Sequence, residues 1–158
     1  MAKRFTDTDL WKEDWFIKLP VEYQYFFFYV KDSCDHAGIW KANKTYFELI
    51  TRYDIDIEKA FEFYNKDKER FMKINGTRWL YKDFFVFQYG NKMNLNNRVH
   101  GSIHSIYVKL GVKLTSIRGL LEHNLTSPMG LKDKDKDKDK DNIYKIKRKK
   151  RRREEEGY

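Results

Sequence analysis

Residues 36–81 constrain the fold of this chain more than any other stretch, because strand-like and helical patterns alternate within them. A short apolar piece, AGIW (37–40), comes first and is typical of a strand. Two sets of apolar residues then carry the helical spacing i, i+3, i+4, i+7: Tyr46, Leu49, Ile50 and Tyr53, followed by Ile57, Ala60, Phe61 and Tyr64. The polar break Asp54-Ile55-Asp56 separates the two sets, so we expect a strand followed by two helices with a tight turn between them.

A hairpin is predicted directly after the second of these helices. The runs RFMKI (70–74) and TRWLY (77–81) flank Asn75-Gly76, and Asn-Gly favours a type I′ turn, which needs positive φ at both central residues. Strand, helix, turn, helix and hairpin is the order of a winged helix-turn-helix domain. That architecture binds DNA, and in other proteins it binds protein partners.

Further elements are predicted on both sides of this stretch. We expect an N-terminal arm over 5–19, a central apolar helix over 21–33, a short helix over 83–90, and a last helix from Asn96 or Asn97 to Leu110. The residues expected to share one core are Phe27, Val30, Leu49, Ile50, Phe61 and Trp79. The sequence thus predicts an α+β winged-helix domain over 5–110 with an additional C-terminal helix.

The charge pattern divides the rest of the chain. A connector is expected over 111–131, with a short helix at 116–123, and a disordered Lys-Asp spacer and basic tail over 132–158. Residues 132–158 hold 13 Lys/Arg and 8 Asp/Glu, whereas the preceding 131 residues hold 20 and 16. The folded part is therefore only mildly basic, and the strongest basic signal is KIKRKKRRR (145–153).

The second helix of the 46–64 pair offers few groups suited to reading DNA. Asn65 and Lys66 are the residues there that suit contacts with bases and phosphates, while Glu58 and Glu62 would lie close to phosphates and repel them. A solvated helix face and a protein-docking face are the two other interpretations of the same pattern.

The hairpin and the tail are the other candidate DNA contacts. Winged domains use hairpin cations against the DNA backbone or the minor groove. The candidates are Lys68, Arg70, Lys73, Arg78 and Lys82 around the hairpin, and Lys147, Arg148, Lys149, Lys150, Arg151, Arg152 and Arg153 in the tail. An ordinary charged hairpin surface and a solubilising tail explain the same residues without DNA.

No motif for catalysis or for a cofactor is found in the sequence. It contains neither a phosphate-binding glycine loop nor a nucleophile elbow, so we expect a protein that is not an enzyme. His100 and His104, together with Cys34 and His36, have no zinc-site spacing that joins the two pairs, and no metal site is expected. The single cysteine, the absence of an N-terminal signal pattern and the absence of a long apolar run favour a reducing cytoplasm.

Several phrases carry a family resemblance: FTDTDLWK, CDHAGIW, FQYG, NNRVH, and LTSPMG running into the KDKDK repeat. Together they span residues 3–141 and resemble phage and prophage replication-initiation, or replisome-organiser-like, proteins with an N-terminal winged-helix domain. The resemblance implies a non-enzymatic protein that binds duplex DNA in a bacterial cytoplasm, during replication initiation or replisome loading, with a replicative helicase or its loader as a further partner. A protein–protein adaptor that uses the winged-helix surface and a transcriptional regulator are the alternatives.

Overall fold

The structure is a computed structural model that describes residues 3–121, and it is a mixed α+β fold. Its α-helices are α1 (Asp14–Ile17), α2 (Val21–Ser33), α3 (Thr45–Thr51), α4 (Ile57–Asn65), α5 (Phe84–Tyr89) and α6 (Arg98–Leu110). Its strands are β1 (Ile39–Lys41), β2 (Phe71–Asn75) and β3 (Arg78–Tyr81), and short 3-10 helices lie at Thr8–Lys12 and Leu114–Ser116. The predicted order of strand, two helices and hairpin is confirmed.

The three strands form one antiparallel sheet in the order β1-β3-β2. Trp40 lies opposite Trp79 in the β1–β3 pair, and Lys73 lies opposite Trp79 in the hairpin. The turn differs from the prediction by one residue, because Gly76 and Thr77 connect the strands and the pairing is irregular between Lys73 and Asn75. Only Gly76 of this turn has positive φ, at 34°, so the predicted type I′ turn at Asn75-Gly76 is wrong.

The larger core cluster lies on one face of the sheet and is dominated by aromatic rings. α2 contributes Phe27 and Val30, and α4 contributes Phe61, whose ring stacks on Trp79 of β3 at 4.0 Å between centroids. Tyr64 is fully buried beside them and donates a hydrogen bond of 2.7 Å from its hydroxyl to the Tyr23 carbonyl oxygen. The predicted core residues Phe27, Val30, Phe61 and Trp79 are therefore confirmed as one cluster.

α3 reverses the predicted orientation of its apolar face. Leu49 is 58% exposed and Ile50 is 77% exposed, so their prediction as core residues is wrong. The buried residue of this helix is Phe47, whose ring lies 5.1 Å from that of Phe26 on α2. The predicted helix is present, but α3 packs on the core through Phe47, a single aromatic residue on its other side.

The second core cluster lies on the opposite face of the sheet, since its strand residues alternate with those of the first cluster. Leu80 and Ile39 pack there with Ile103 and Tyr107 of α6. The Tyr107 hydroxyl donates a hydrogen bond of 2.8 Å to the Ala37 carbonyl oxygen, which fixes α6 against the start of β1. The packing continues past Leu110, because Val112 and Ile117 are also buried in this cluster.

The close approach of α5 to the turn before β1 explains Gly38 in the predicted AGIW strand. Gly38 has φ +74°, and a Cβ atom added there would lie 2.6 Å from Cβ of Phe84 on α5. The residue belongs to the turn before β1 and does not end α2, which stops at Ser33. A side chain at this position would therefore clash with Phe84, a member of the larger cluster, as well as strain the backbone.

The ends of the described chain depart from the prediction in detail. In the N-terminal arm Phe16 is fully buried, whereas Trp11 is 57% exposed. The short helix predicted over 116–123 is not found in the described part of that range, and a 3-10 helix covers Leu114–Ser116 instead. The predicted disordered spacer and tail over 132–158 lie outside the described residues.

Candidate nucleic-acid interface

Two of the predicted contact residues are committed to the corner between α4 and β2. The Asn65 side-chain oxygen accepts hydrogen bonds of 2.8 Å from the backbone N–H groups of Arg70 and Phe71, and its amide nitrogen donates to the Phe71 carbonyl oxygen. Arg70 is only 5% exposed and donates to the Tyr64 carbonyl oxygen at 2.8 Å. Neither side chain can bind DNA without first breaking this corner.

Arg70 is held by an acid and by an aromatic ring as well. Its guanidinium donates two hydrogen bonds to the Asp67 carboxylate, at 2.5 and 3.1 Å, and lies 3.8 Å from the ring centroid of Trp15. The hydrogen bonds from Arg70 lower the pKa of the Asp67 carboxyl. The cation thus ties the N-terminal arm to the start of the hairpin, which is a structural role.

Three further predicted cations around the hairpin already have acidic partners. Lys73 pairs with Glu58 at 2.6 Å and Lys82 with Glu69 at 2.6 Å. Lys68 lies 3.5 Å from Asp83, whose carboxyl also pairs with Arg118 at 3.2 Å; burial raises the pKa of the Asp83 carboxyl. These ion pairs neutralise three of the cations that were predicted to contact phosphates. Exposed ion pairs are weak, so a phosphate can replace the acidic partner.

Arg78 is the predicted hairpin cation that keeps its charge available. It is half-buried at the start of β3, directly opposite exposed Lys41 on β1, and neither forms an ion pair with a described acid. Residues directly opposite in an antiparallel pair project from the same face of the sheet. Lys41 and Arg78 therefore form a cationic pair next to the hairpin turn.

The α4 surface combines the remaining predicted residues with acidic ones. Lys66 is exposed at the C-terminal end of α4 and has no ion pair with a described residue, which leaves it accessible. Glu58 and Glu62 are exposed one turn apart, and Glu58 forms an ion pair with Lys73. Asp56 caps the helix by accepting a hydrogen bond from the Lys59 backbone N–H at 3.1 Å. The predicted acidic character of this helix face is found in the structure.

Cys34, His36 and His100 each take part in a separate local hydrogen bond. Cys34 donates its thiol proton to the Lys31 carbonyl oxygen at 3.0 Å, and burial raises the pKa of this thiol to about 12. His36 Nε2 lies 2.9 Å from Ser102 Oγ, and His100 Nδ1 accepts from the Asn94 backbone N–H at 3.0 Å. Among residues 3–121 no group of three or more potential metal ligands comes together.

Sequence reasoning missed Lys41 and the exposed face of α3. Lys41 gains its importance only from the β1–β3 register, which a sequence without a partner strand cannot provide. The α3 face consists of Tyr46, Leu49 and Ile50, which are 65%, 58% and 77% exposed, and Tyr53, which is 37% exposed, lies two residues beyond the end of the helix. The sequence shows the helical spacing of these residues, but it does not show whether their face is buried or exposed. The predicted tail contacts at 147–153 lie outside the described residues.

Comparison with known proteins identifies no relative of this chain. The chain matches no family model, no curated protein and no solved structure. In the described part of the chain, none of the helices combines the length and the apolar character needed to cross a bilayer. The resemblance to phage replication-initiation proteins stays a prediction from the sequence.

Proposed function

We propose that the described residues form a winged-helix domain. The support is the order β1, α3, α4, β2, β3 after the central helix α2, together with the sheet order β1-β3-β2, which places the hairpin beside the first strand. In this interpretation α3 and α4 are the helix-turn-helix, and β2 and β3 form the wing.

We propose further that the protein is a non-enzymatic binder of duplex DNA that acts through the phosphate backbone. The observation that carries this function is the Lys41–Arg78 pair, two cations opposite one another without acidic partners among the described residues. Such cations gain free energy by replacing the counterions of phosphates. Replication initiation or replisome loading of a phage or mobile element, in a bacterial cytoplasm, is the role that the sequence resemblance supports.

The test is the salt dependence of binding to a fluorescent duplex, measured by anisotropy. The full chain is compared with a full-length variant in which the eight Lys and Arg of residues 145–153 are changed to glutamine. Neutralising the tail should lower the slope of log K against log salt by up to ~7, at ~0.9 per phosphate contact. Adding Lys41→Gln and Arg78→Gln should lower it by a further ~2 at most.

The loss should be the same for duplexes of unrelated sequence, because these contacts carry no base information. A full chain that binds no duplex at low salt would refute the proposed function. Binding that depends on the tail alone would restrict it to non-specific anchoring.

A second candidate function is a protein–protein adaptor, which the exposed apolar face of α3 favours. Three large side chains of α3 are exposed there, Tyr46, Leu49 and Ile50, and such apolar faces mark protein contacts. With the purified host replicative helicase as probe, Ile50→Glu should abolish binding in this case and leave DNA affinity unchanged. Loss of DNA affinity without an effect on the helicase would contradict the adaptor.

A further inference from the structure

The net positive charge of the described domain comes entirely from its last third. Residues 3–83 hold 15 Lys/Arg and 15 Asp/Glu, whereas residues 84–121 hold five Lys/Arg and no acid. This acid-free segment begins at α5 and contains α6. The net charge of residues 3–121 therefore equals the charge of this segment, +5.

The cations of the acid-free segment are accessible, in contrast to those around the hairpin. Arg118 is half-buried and pairs with Asp83. The other four are exposed and form no ion pair with a described residue: Lys92, Arg98, Lys109 and Lys113. Binding a phosphate at these residues would not require an existing ion pair to break.

α6 arranges part of this charge along one line. Arg98, Ser102, Ser105 and Lys109 follow the spacing i, i+4, i+7, i+11, and all four are exposed. With a rise of 1.5 Å per residue, the two cations lie about 16 Å apart along the helix. The Ser105 hydroxyl between them donates to the Gly101 carbonyl oxygen at 2.9 Å, and the Ser102 hydroxyl lies 2.9 Å from His36 Nε2, so Arg98 and Lys109 are the groups on this line that remain available to phosphates.

The opposite side of α6 holds this line of residues in place. Ile103 and Tyr107 are fully buried against the sheet, and the Tyr107 hydroxyl is bonded to the Ala37 carbonyl oxygen. The Asn97 side chain caps the start of the helix by accepting from the backbone N–H groups of Val99 and His100. The cationic face therefore projects from a fixed helix.

The Lys41–Arg78 pair projects from the same side of the sheet as α6. Lys41 is two residues from Ile39, and Arg78 is two residues from Leu80, so each shares a face with its neighbour. Ile39 and Leu80 belong to the cluster that contains α6. α4 packs on the other face of the sheet through Phe61 and Trp79.

We propose that the folded domain binds the phosphate backbone of duplex DNA with the α6 side of the sheet, through Arg98, Lys109, Lys41 and Arg78, and not with α4. This inference rests on the proposed function, since it names the surface by which DNA is bound. An anionic membrane is the less favoured partner, because membrane-binding helices expose Trp, Phe or Leu, whereas the exposed apolar residues of α6 are Val99 and Val108.

The test compares two matched charge changes in the full-length chain with its tail neutralised. Arg98→Gln with Lys109→Gln removes two exposed cations from α6, and Lys59→Gln with Lys66→Gln removes two exposed cations from α4. The α6 variant should bind a fluorescent duplex at least tenfold more weakly at low salt, with a slope of log K against log salt reduced by up to ~2. The α4 variant should stay within about twofold of its parent.

Each other outcome overturns the inference and has a separate meaning for the function. Weakening by the α4 pair alone would show groove docking by α4, and the proposed DNA binding would stand. Loss of all binding on neutralising the tail would assign DNA binding to the tail, whereas an original chain that binds no duplex would remove both proposals. Loss of binding to phosphatidylserine vesicles without an effect on DNA would identify a membrane surface.

A fold control keeps the comparison decisive. Both pairs are exposed, so the urea midpoint of each variant should match that of its parent. If the α6 pair lowers it, Lys41→Gln with Arg78→Gln replaces that pair outside the helix, and an unchanged affinity in that variant would count against the inference.

Discussion

Arg70 and Lys66 are four residues apart in the sequence and have opposite roles in the structure. The sequence predicted both as DNA contacts, Lys66 at the end of the second helix of the pair and Arg70 at the hairpin. Arg70 is buried on Tyr64, Asp67 and Trp15, while Lys66 is exposed. The sequence alone cannot distinguish a structural arginine from a DNA-binding lysine here. The difference depends on the Tyr64 carbonyl oxygen and the Trp15 ring, which contact Arg70 only in the folded chain. Asn65 was misassigned for the same reason, since its backbone partners at 70 and 71 exist only once the corner has formed.

The first prediction at this scale is that Arg70→Gln destabilises the domain by about 2–4 kcal/mol. The substitution leaves the Tyr64 carbonyl oxygen without its donor and removes the contact with Trp15, and losing one partner of a buried charged network costs this much. Lys66→Gln is the matched control and should change the free energy of unfolding by less than about 0.5 kcal/mol. Urea unfolding followed by tryptophan fluorescence measures both. Equal midpoints for the two variants would show that Arg70 is not a structural residue.

At the scale of elements, periodicity identified the helices and gave the wrong side for one of them. The spacing at 57/60/61/64 predicts one shared face, and Ala60, Phe61 and Tyr64 of that face are buried in the structure. The identical spacing at 46/49/50/53 faces solvent, because the buried residue of α3 is Phe47, which packs on Phe26 of α2. A spacing shows that apolar residues share a face, and only the packed neighbours decide whether that face is covered. The hairpin is similar, since its strands were predictable while its turn residues depended on the irregular pairing near Asn75.

A stability comparison between the two helices tests this contrast. Phe61→Ala should cost roughly 3–5 kcal/mol, because its ring fills the space between Trp40, Tyr64, Phe71 and Trp79. Leu49→Ala should change the free energy of unfolding by less than about 1 kcal/mol, since Leu49 is more than half exposed. Urea denaturation of both variants provides the values. A cost for Leu49→Ala close to that of Phe61→Ala would mean that the α3 face is covered in solution.

At the scale of the whole molecule, the sheet separates two chemically different sides. One side carries α2, α3 and α4 with the aromatic cluster, and the other carries α6 and residues 112–117, while α5 contributes Phe84 to the first cluster and Phe85 to the second. The acid-free run of residues 84–121 is visible in the sequence, but the side of the sheet it occupies is not. The same holds for Lys41, because the positions that share a surface depend on the register of three strands and on the helix that covers each face.

The double coverage of the sheet also bears on how the molecule opens. β3 is the central strand, hydrogen-bonded to β1 on one edge and β2 on the other, and its Trp79 and Leu80 side chains are buried in different clusters. Neither cluster can loosen alone and release this strand to water. The amide hydrogens of Trp79 and Leu80 should therefore exchange with deuterium only through global unfolding, while those of α3 exchange through local fluctuations. The slowest amides of the chain would then report the stability of the whole domain.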